Sequence, residues 1–214
     1  RLLSVMSTSS KDTTPKDITS FFGSGKTKNY VNPPDSENET PPREMRDDDG
    51  RFLCGDLNIH IDREGTWFYH GTPIGRKELV KLFSTVIHKD GDGAYWLITP
   101  AEKGRIRVED APFMAVEMTV NDEGPAQSLA FRTNVDDIVM AGPAHPLRVS
   151  ENSRTGEPSP YILVRNTLEA KLTRSVFYQL VDLGVEHDTP DGKRFGVWSG
   201  GNFFELGNLE GVVV

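Results

Sequence analysis

The sequence predicts an α+β fold of two domains that repeat one motif, strand-strand-helix-strand-strand. An amphipathic helix followed by a hairpin occurs twice. Lys77–Ile87 precedes the strand Tyr95-Trp96-Leu97-Ile98, and Ser175–Val185 precedes Phe195-Gly196-Val197-Trp198. An Asp-Gly turn separates helix from strand both times. Short turns join most strands, so the sheets are expected to be largely antiparallel, with the helices on one face or end.

Residues 1–50 read as a disordered tail, rich in Ser, Thr, Pro, Asn, Lys and Asp, with too few apolar side chains to offset the entropy of ordering. Ile18, Phe21 and Phe22 offer one short docking turn at most. An N-terminal domain over 51–110 follows. Leu57–Asp62 alternates, Arg63-Glu64-Gly65 turns, and Thr66–His70 returns as an aromatic strand. Leu79, Leu82, Phe83, Val86 and Ile87 recur at helical spacing on one face. Ala94–Thr99 and Arg105–Glu109 are strands, the second with Ile106 and Val108 inward. A C-terminal domain over 111–214 opens with Phe113–Val120, predicted to point Met114, Val116, Met118 and Val120 one way. Gln127–Thr133, Asp136–Met140, Tyr161–Arg165 and Leu168–Leu172 are further strands, and 150–160 is a polar loop. The second helix faces inward through Val176, Phe177, Leu180, Val181 and Gly184. Phe195–Ser199 and Asn202–Leu206 form a hairpin over Gly200-Gly201. The extra strands suit a bent antiparallel sheet capped by a helix.

A net charge of -8 with mixed signs and no basic stripe argues against a nucleic-acid polymer as partner. No apolar run approaches the roughly 18–20 residues of a membrane span. The single cysteine, Cys54, excludes an internal disulfide and fits a reducing, cytoplasmic setting. The opening residues are too short for the apolar core of a signal peptide.

Several motifs fail on their context. Gly23-Ser24-Gly25-Lys26-Thr27 ends like a phosphate loop, but Ser20 stands where the first glycine belongs. Asp90-Gly91-Asp92-Gly93 resembles a calcium loop but has Ala101 at position twelve, where a glutamate is needed. Asn38-Glu39-Thr40 matches a glycosylation site without a secretory context. The five histidines show no metal spacing, and no nucleophile elbow occurs. The sequence therefore calls for no metal and no cofactor.

Three polar clusters remain. Glu102, Lys103, Arg105, Arg107, Glu109 and Asp110 crowd one turn and strand, as a solvated edge would, where ion pairs contribute about 0–1 kcal/mol each. Thr133–Asp137 falls near His145 and Arg148, and Tyr161 falls near Arg165 and Asn166. Arginine beside an aromatic ring suits a base and its phosphate. Trp67 and Tyr69 share a strand face, either core or platform. Trp96 and Trp198 occupy matching places in the two units, best read as packing against the helices.

The strings GDLNIHIDREGTWFYHGTPIGRKELVKLFSTVI, LITPAEKGRIRVEDAPFMAVEM, TNVDDIVMAGPAHPLRV and FGVWSGGNFFELG closely resemble the bacterial DUF1285 family, of unknown function, over Cys54 to Gly207. The resemblance implies two domains with a duplicated motif, the second similar to a pleckstrin-homology fold. It also implies a groove between them for a nucleotide-like ligand, with a signalling role. The residues it carries over are Trp67, Tyr69, Arg76, Glu102, Lys103, Arg105, Glu109, Asp110, Asn134, His145, Arg148, Tyr161 and Arg165. Ala144 stands where that pattern suggests an acidic residue. The leading expectation is a regulatory protein holding a small anionic ligand, with a protein-interaction module as alternative. A hydrolase using Glu109, Asp110 and His145 is third.

Overall fold

The computed structural model describes residues 46–122, 126–151, 156–190 and 192–208. The proposed tail therefore lies outside it up to residue 45, as do the phosphate-loop look-alike and the glycosylation pattern. Residues 46–50 belong to the folded part. Arg46 bridges Phe52, and the Asp47 carboxylate accepts the Arg51 N–H at 2.8 Å.

The first half contains β1 (Phe52–Ile61), β2 (Trp67–Tyr69), β3 (Thr72–Pro73), α1 (Lys77–Ser84), β4 (Ile87–Lys89), β5 (Tyr95–Ile98) and β6 (Glu102–Val108). Its sheet runs β3-β2-β1-β6-β5-β4. The second half opens with β7 (Phe113–Asn121), β8 (Ser128–Thr133), β9 (Ile138–Met140), β10 (Leu147–Glu151), β11 (Pro158–Arg165) and β12 (Leu168–Leu172), ordered β10-β11-β12-β7-β8-β9. Then α2 (Arg174–Asp182) leads into β13 (Val185–Thr189), β14 (Gly192–Ser199) and β15 (Asn202–Asn208), a separate three-stranded sheet. The fold is α+β and mostly sheet. No helix among the described residues is long and apolar enough to cross a membrane.

The repeated unit holds two antiparallel strands, a helix and a three-stranded meander, one strand more than expected after each helix. Both helices stop early. Ser84 and Thr85 donate their hydroxyls to carbonyls of the last turn of α1, and the Val86 carbonyl then accepts the Ile98 N–H from β5. Ile87 and Val185, assigned to helix ends by periodicity, open strands instead. β-Branched residues fit a pleated surface readily, and sheet pairing overrides a helical pattern of only two or three turns.

The two copies are wired differently. In the first, the meander joins the hairpin through a parallel pairing of β1 with β6. In the second, β10 takes the corresponding side of β11, so the meander stays separate. A second parallel pairing joins β12 to β7. The sheets are otherwise antiparallel.

The core is continuous. Ile59, Ile61, Trp67, Phe83, Leu97 and Ile106 of the first half share one cluster with Phe113, Leu129, Phe131, Ile162, Leu168, Leu180 and Val197. The expected inward face of β7 needs correcting. Phe113 and Ala115 are fully buried, whereas Val116 is exposed. Pairing slips between Ala115 and Glu117, and an extra residue at a bulge switches which side chains face inward. Of the four residues expected inward, Met114 is buried, Met118 packs partly against the core opposite Phe131, and Val120, opposite Leu129, is exposed. Trp96 and Trp198 also depart from expectation. Their neighbours Leu97 and Val197 are buried, so strand alternation turns both indoles outward. Asp90 explains the calcium look-alike: its Oδ1 accepts the N–H groups of Asp92 and Ala94, and its Oδ2 accepts Nε1–H of Trp96 at 2.7 Å.

Candidate functional site

Strand alternation on β10, β11 and β12 turns Arg148, Tyr161, Glu169 and Lys171 to one face. Arg148 lies opposite Tyr161, and Tyr161 opposite Lys171, in adjacent registers. The connector between β6 and β7 brings Asp110 over them. Its carboxylate accepts the Tyr161 hydroxyl at 2.7 Å and the Lys171 ammonium at 2.6 Å. The Arg148 guanidinium lies 4.2 Å from the Tyr161 ring centre and forks onto Glu169 with two bonds of 2.6 Å. Burial, then the hydrogen bond to Asp110, pushes the Tyr161 phenol up to about 12. Glu169 holds the Arg148 guanidinium even more firmly protonated than usual. One cation, Lys171, and a hydroxyl thus converge on the half-buried Asp110 carboxylate, with the Arg148–Glu169 pair beside them, and charge-assisted hydrogen bonds there outweigh surface ion pairs.

The seam between the halves is bridged by polar contacts. Asn134 accepts the Met114 N–H at 3.0 Å and donates to the Gly65 carbonyl of the first hairpin at 3.2 Å. Arg165 donates to Asp137 at 3.0 Å and to the Ser84 carbonyl at the end of α1, with its guanidinium 5.0 Å from the Phe113 ring centre. Lys77 of α1 reaches Asp136 at 2.8 Å, and Arg132 reaches it at 3.2 Å. Lys77 first, with Lys81 adding to it, holds the Asp136 carboxyl below its ordinary range.

The remaining candidates scatter. Trp67, 2% exposed, stacks on Phe83 in the core; its expected role as a ligand platform fails because nothing in solvent reaches the ring. Its Nε1–H is the buried side-chain donor lacking an acceptor among the described residues. Tyr69 meets His70 edge-on, and Arg76 sits exposed at the N-cap of α1. The hydrolase set does not assemble. Glu109 pairs with Arg107 and with Nε2 of His60, the first contact contributing most to its lowered pKa. Asp110 turns to Tyr161 and Lys171, and Nδ1 of His145 donates to the Leu163 carbonyl at 2.9 Å. Glu102 lies beside Phe52 in register, while Lys103 and Arg105 stand on the outer face of β6 near Trp96. Among the described residues, no three His, Cys, Asp or Glu side chains gather as a metal site would need.

Two family models match end to end. The N-terminal domain of unknown function DUF1285 covers residues 51–111, and the C-terminal domain of the DUF1285 protein of unknown function covers 112–206. This chain belongs to the DUF1285 family. A crystal structure of a DUF1285 family protein from Silicibacter pomeroyi is 43% identical, with a TM-score of 0.69 over 82% of this chain and 91% of that one. Another, from Shewanella baltica, is 29% identical, with a TM-score of 0.46 over 59% of this chain and 91% of that one. Among curated proteins, none matches this sequence.

This DUF1285 chain thus joins Asp110, Arg148 and Tyr161 into one cluster, and leaves Asn134 and Arg165 to hold the seam. Glu169 and Lys171 complete the cluster and were not singled out from the sequence. Their signal was present: Leu168, Ala170 and Leu172 alternate inward, which turns Glu169 and Lys171 outward beside Tyr161.

Proposed function

We propose that this DUF1285 protein is a non-catalytic, regulatory binding protein whose ligand is a small anion, nucleotide-like in carrying a phosphate. One observation carries the reading. The carboxylate of Asp110, a connector residue, rests in a cradle of the Tyr161 hydroxyl and the Lys171 ammonium, with the Arg148 fork beside it. A group that binds one anion binds another of similar geometry, and guanidinium forks suit phosphate as well as carboxylate. Asp110 acts as an internal stand-in. A phosphate that displaces it releases the link between the two sheets, which makes occupancy a signal. Reading the bent second sheet and its helix as pleckstrin-homology-like agrees with binding rather than chemistry, although fold alone does not establish function. The cytoplasm suits a chain with a single cysteine.

The test is calorimetric titration of the full chain with pyrophosphate and adenosine monophosphate. Asp110→Asn is expected to bind at least about tenfold tighter than the parent chain, a gain of about 1.4 kcal/mol. Lys171→Met and Arg148→Gln should each abolish binding. If folded Asp110→Asn binds neither probe, the reading fails. A second reading, a protein-interaction module, draws support from the bonded seam. It predicts one stoichiometric protein partner and no response to either anion.

A further inference from the structure

His60 stands near the end of β1, an interior strand of the first sheet. It lies opposite Phe68 of β2 and Arg107 of β6 in register. Its imidazole stacks on the Phe68 ring, with 5.5 Å between centres and the planes 22° apart. Glu109 follows β6, and its N–H bonds the Ile61 carbonyl at 3.0 Å, which holds it beside the end of β1. The Glu109 carboxylate lies 2.8 Å from Nε2 of His60 and accepts from Nη2 of Arg107 at 3.0 Å. Arg107 first, and His60 after it, hold this carboxyl below its ordinary range, so it is ionised and has no proton to give. The hydrogen of the 2.8 Å contact is therefore on Nε2. Arg107 also comes within 3.5 Å of Nε2, but two donors make no bond. In the neutral ring the lone pair then falls on Nδ1, which meets no donor among the described residues. The side chain is 30% exposed, so a reagent reaches it. The other four histidines lack this arrangement. His145 turns Nδ1 to a backbone carbonyl, His187 packs against Trp198 and Phe203, His70 meets Tyr69 edge-on, and His88 pairs with no carboxylate among the described residues.

A carboxylate on Nε2–H makes the ring more basic and steadies the cation that forms when Nδ1 attacks an electrophile. Arg107, its side chain 70% exposed, spends one donor on Glu109 and keeps others for an incoming anionic group. We infer that His60 is a phosphoryl acceptor, whose Nδ1 takes the group from a donor with a phosphorus–nitrogen bond, the class that includes the phosphohistidine of another protein. The Nδ1 lone pair forms the new bond to phosphorus as the donor's P–N bond breaks, and that electron pair leaves on the donor nitrogen. His60 becomes an imidazolium that keeps its Nε2 proton on Glu109, so no base has to remove a proton and nothing is oxidised. One N–P bond replaces another, so the transfer is close to isoenergetic. The added oxygens draw Arg107 from Glu109 and set like charge beside that carboxylate. Glu109 immediately precedes Asp110, so the modification acts one residue from the Asp110 cradle. The acceptor site itself stands whether or not Asp110 yields to an anion.

Phosphoramidate is the probe. The full chain is incubated with it at about pH 8, where an imidazole is neutral. Mass spectrometry of peptides kept alkaline then follows each of the five histidines. His60 should be modified at least about tenfold faster than any other. Phosphorus NMR should show an Nδ1 phosphohistidine signal that His60→Gln lacks. Glu109→Gln, checked for its fold by circular dichroism, should bring the His60 rate down to that of the other four and mix the two ring isomers. Arg107→Gln should slow His60 by about threefold or more and leave the isomer unchanged. The inference is overturned if His60 in the parent chain reacts no faster than the others, if its phosphate sits on Nε2, or if Glu109→Gln changes neither rate nor isomer. The first two outcomes need no substitution, so a poorly folded variant does not leave the question open.

Discussion

Tyr161 concentrates the residue-scale argument, because one phenol fastens the connector to the second sheet. Tyr161→Phe removes a hydrogen bond to a charged acceptor and should lower stability by about 1.5–3 kcal/mol in denaturant titration at neutral pH. Its phenol ordinarily titrates at 10.0, and folding raises this to about 12. Because the folded state holds the proton more tightly, this stabilisation is complete below pH 10.0 and declines as pH rises towards about 12. Phenolate absorbance should show one of the five tyrosines titrating late, and Tyr161→Phe should remove that component. The sequence marked Tyr161, Arg148 and Asp110 as candidates. That they meet was not legible, because Asp110 lies 51 residues from Tyr161 and the contact depends on how the connector crosses the strands.

At the scale of elements, termini and bulges set stability. Arg76 occupies the N-cap of α1 without a side-chain cap bond. Arg76→Asp supplies an acceptor for a free N–H group and should raise stability by about 0.5–2 kcal/mol, read as a higher denaturant midpoint. Gly196 sits where β14 slips register against β15. A Cβ there would lie 2.3 Å from the Phe204 carbonyl oxygen and 2.5 Å from the Phe203 ring. A backbone atom cannot rotate aside, so Gly196→Ala should cost about 1–3 kcal/mol, measured by thermal unfolding. Hairpins, helix faces and turns were legible because periodicity and turn chemistry are local. The bulge at Val116 was not, because an inserted residue reverses the phase without changing composition.

At the scale of the molecule, the two halves share one core and a bonded seam. Asn134→Ala leaves the Met114 N–H without its acceptor and cuts the bond to Gly65. A loss of about 1–3 kcal/mol is expected. The loss should appear as a lower midpoint of a single transition in calorimetry; two separated transitions in the parent chain would contradict a shared core.

The sequence by itself determined the α+β class, the recurrence of the helix-plus-hairpin unit and the family, since each is written in local periodicity or contiguous strings. Tertiary structure alone decided the parallel pairings of β1 with β6 and β7 with β12, the fate of the second meander and the Asp110 cradle. Each depends on contacts between segments far apart in the chain. Pairwise propensities do not encode them, and packing against one shared core does.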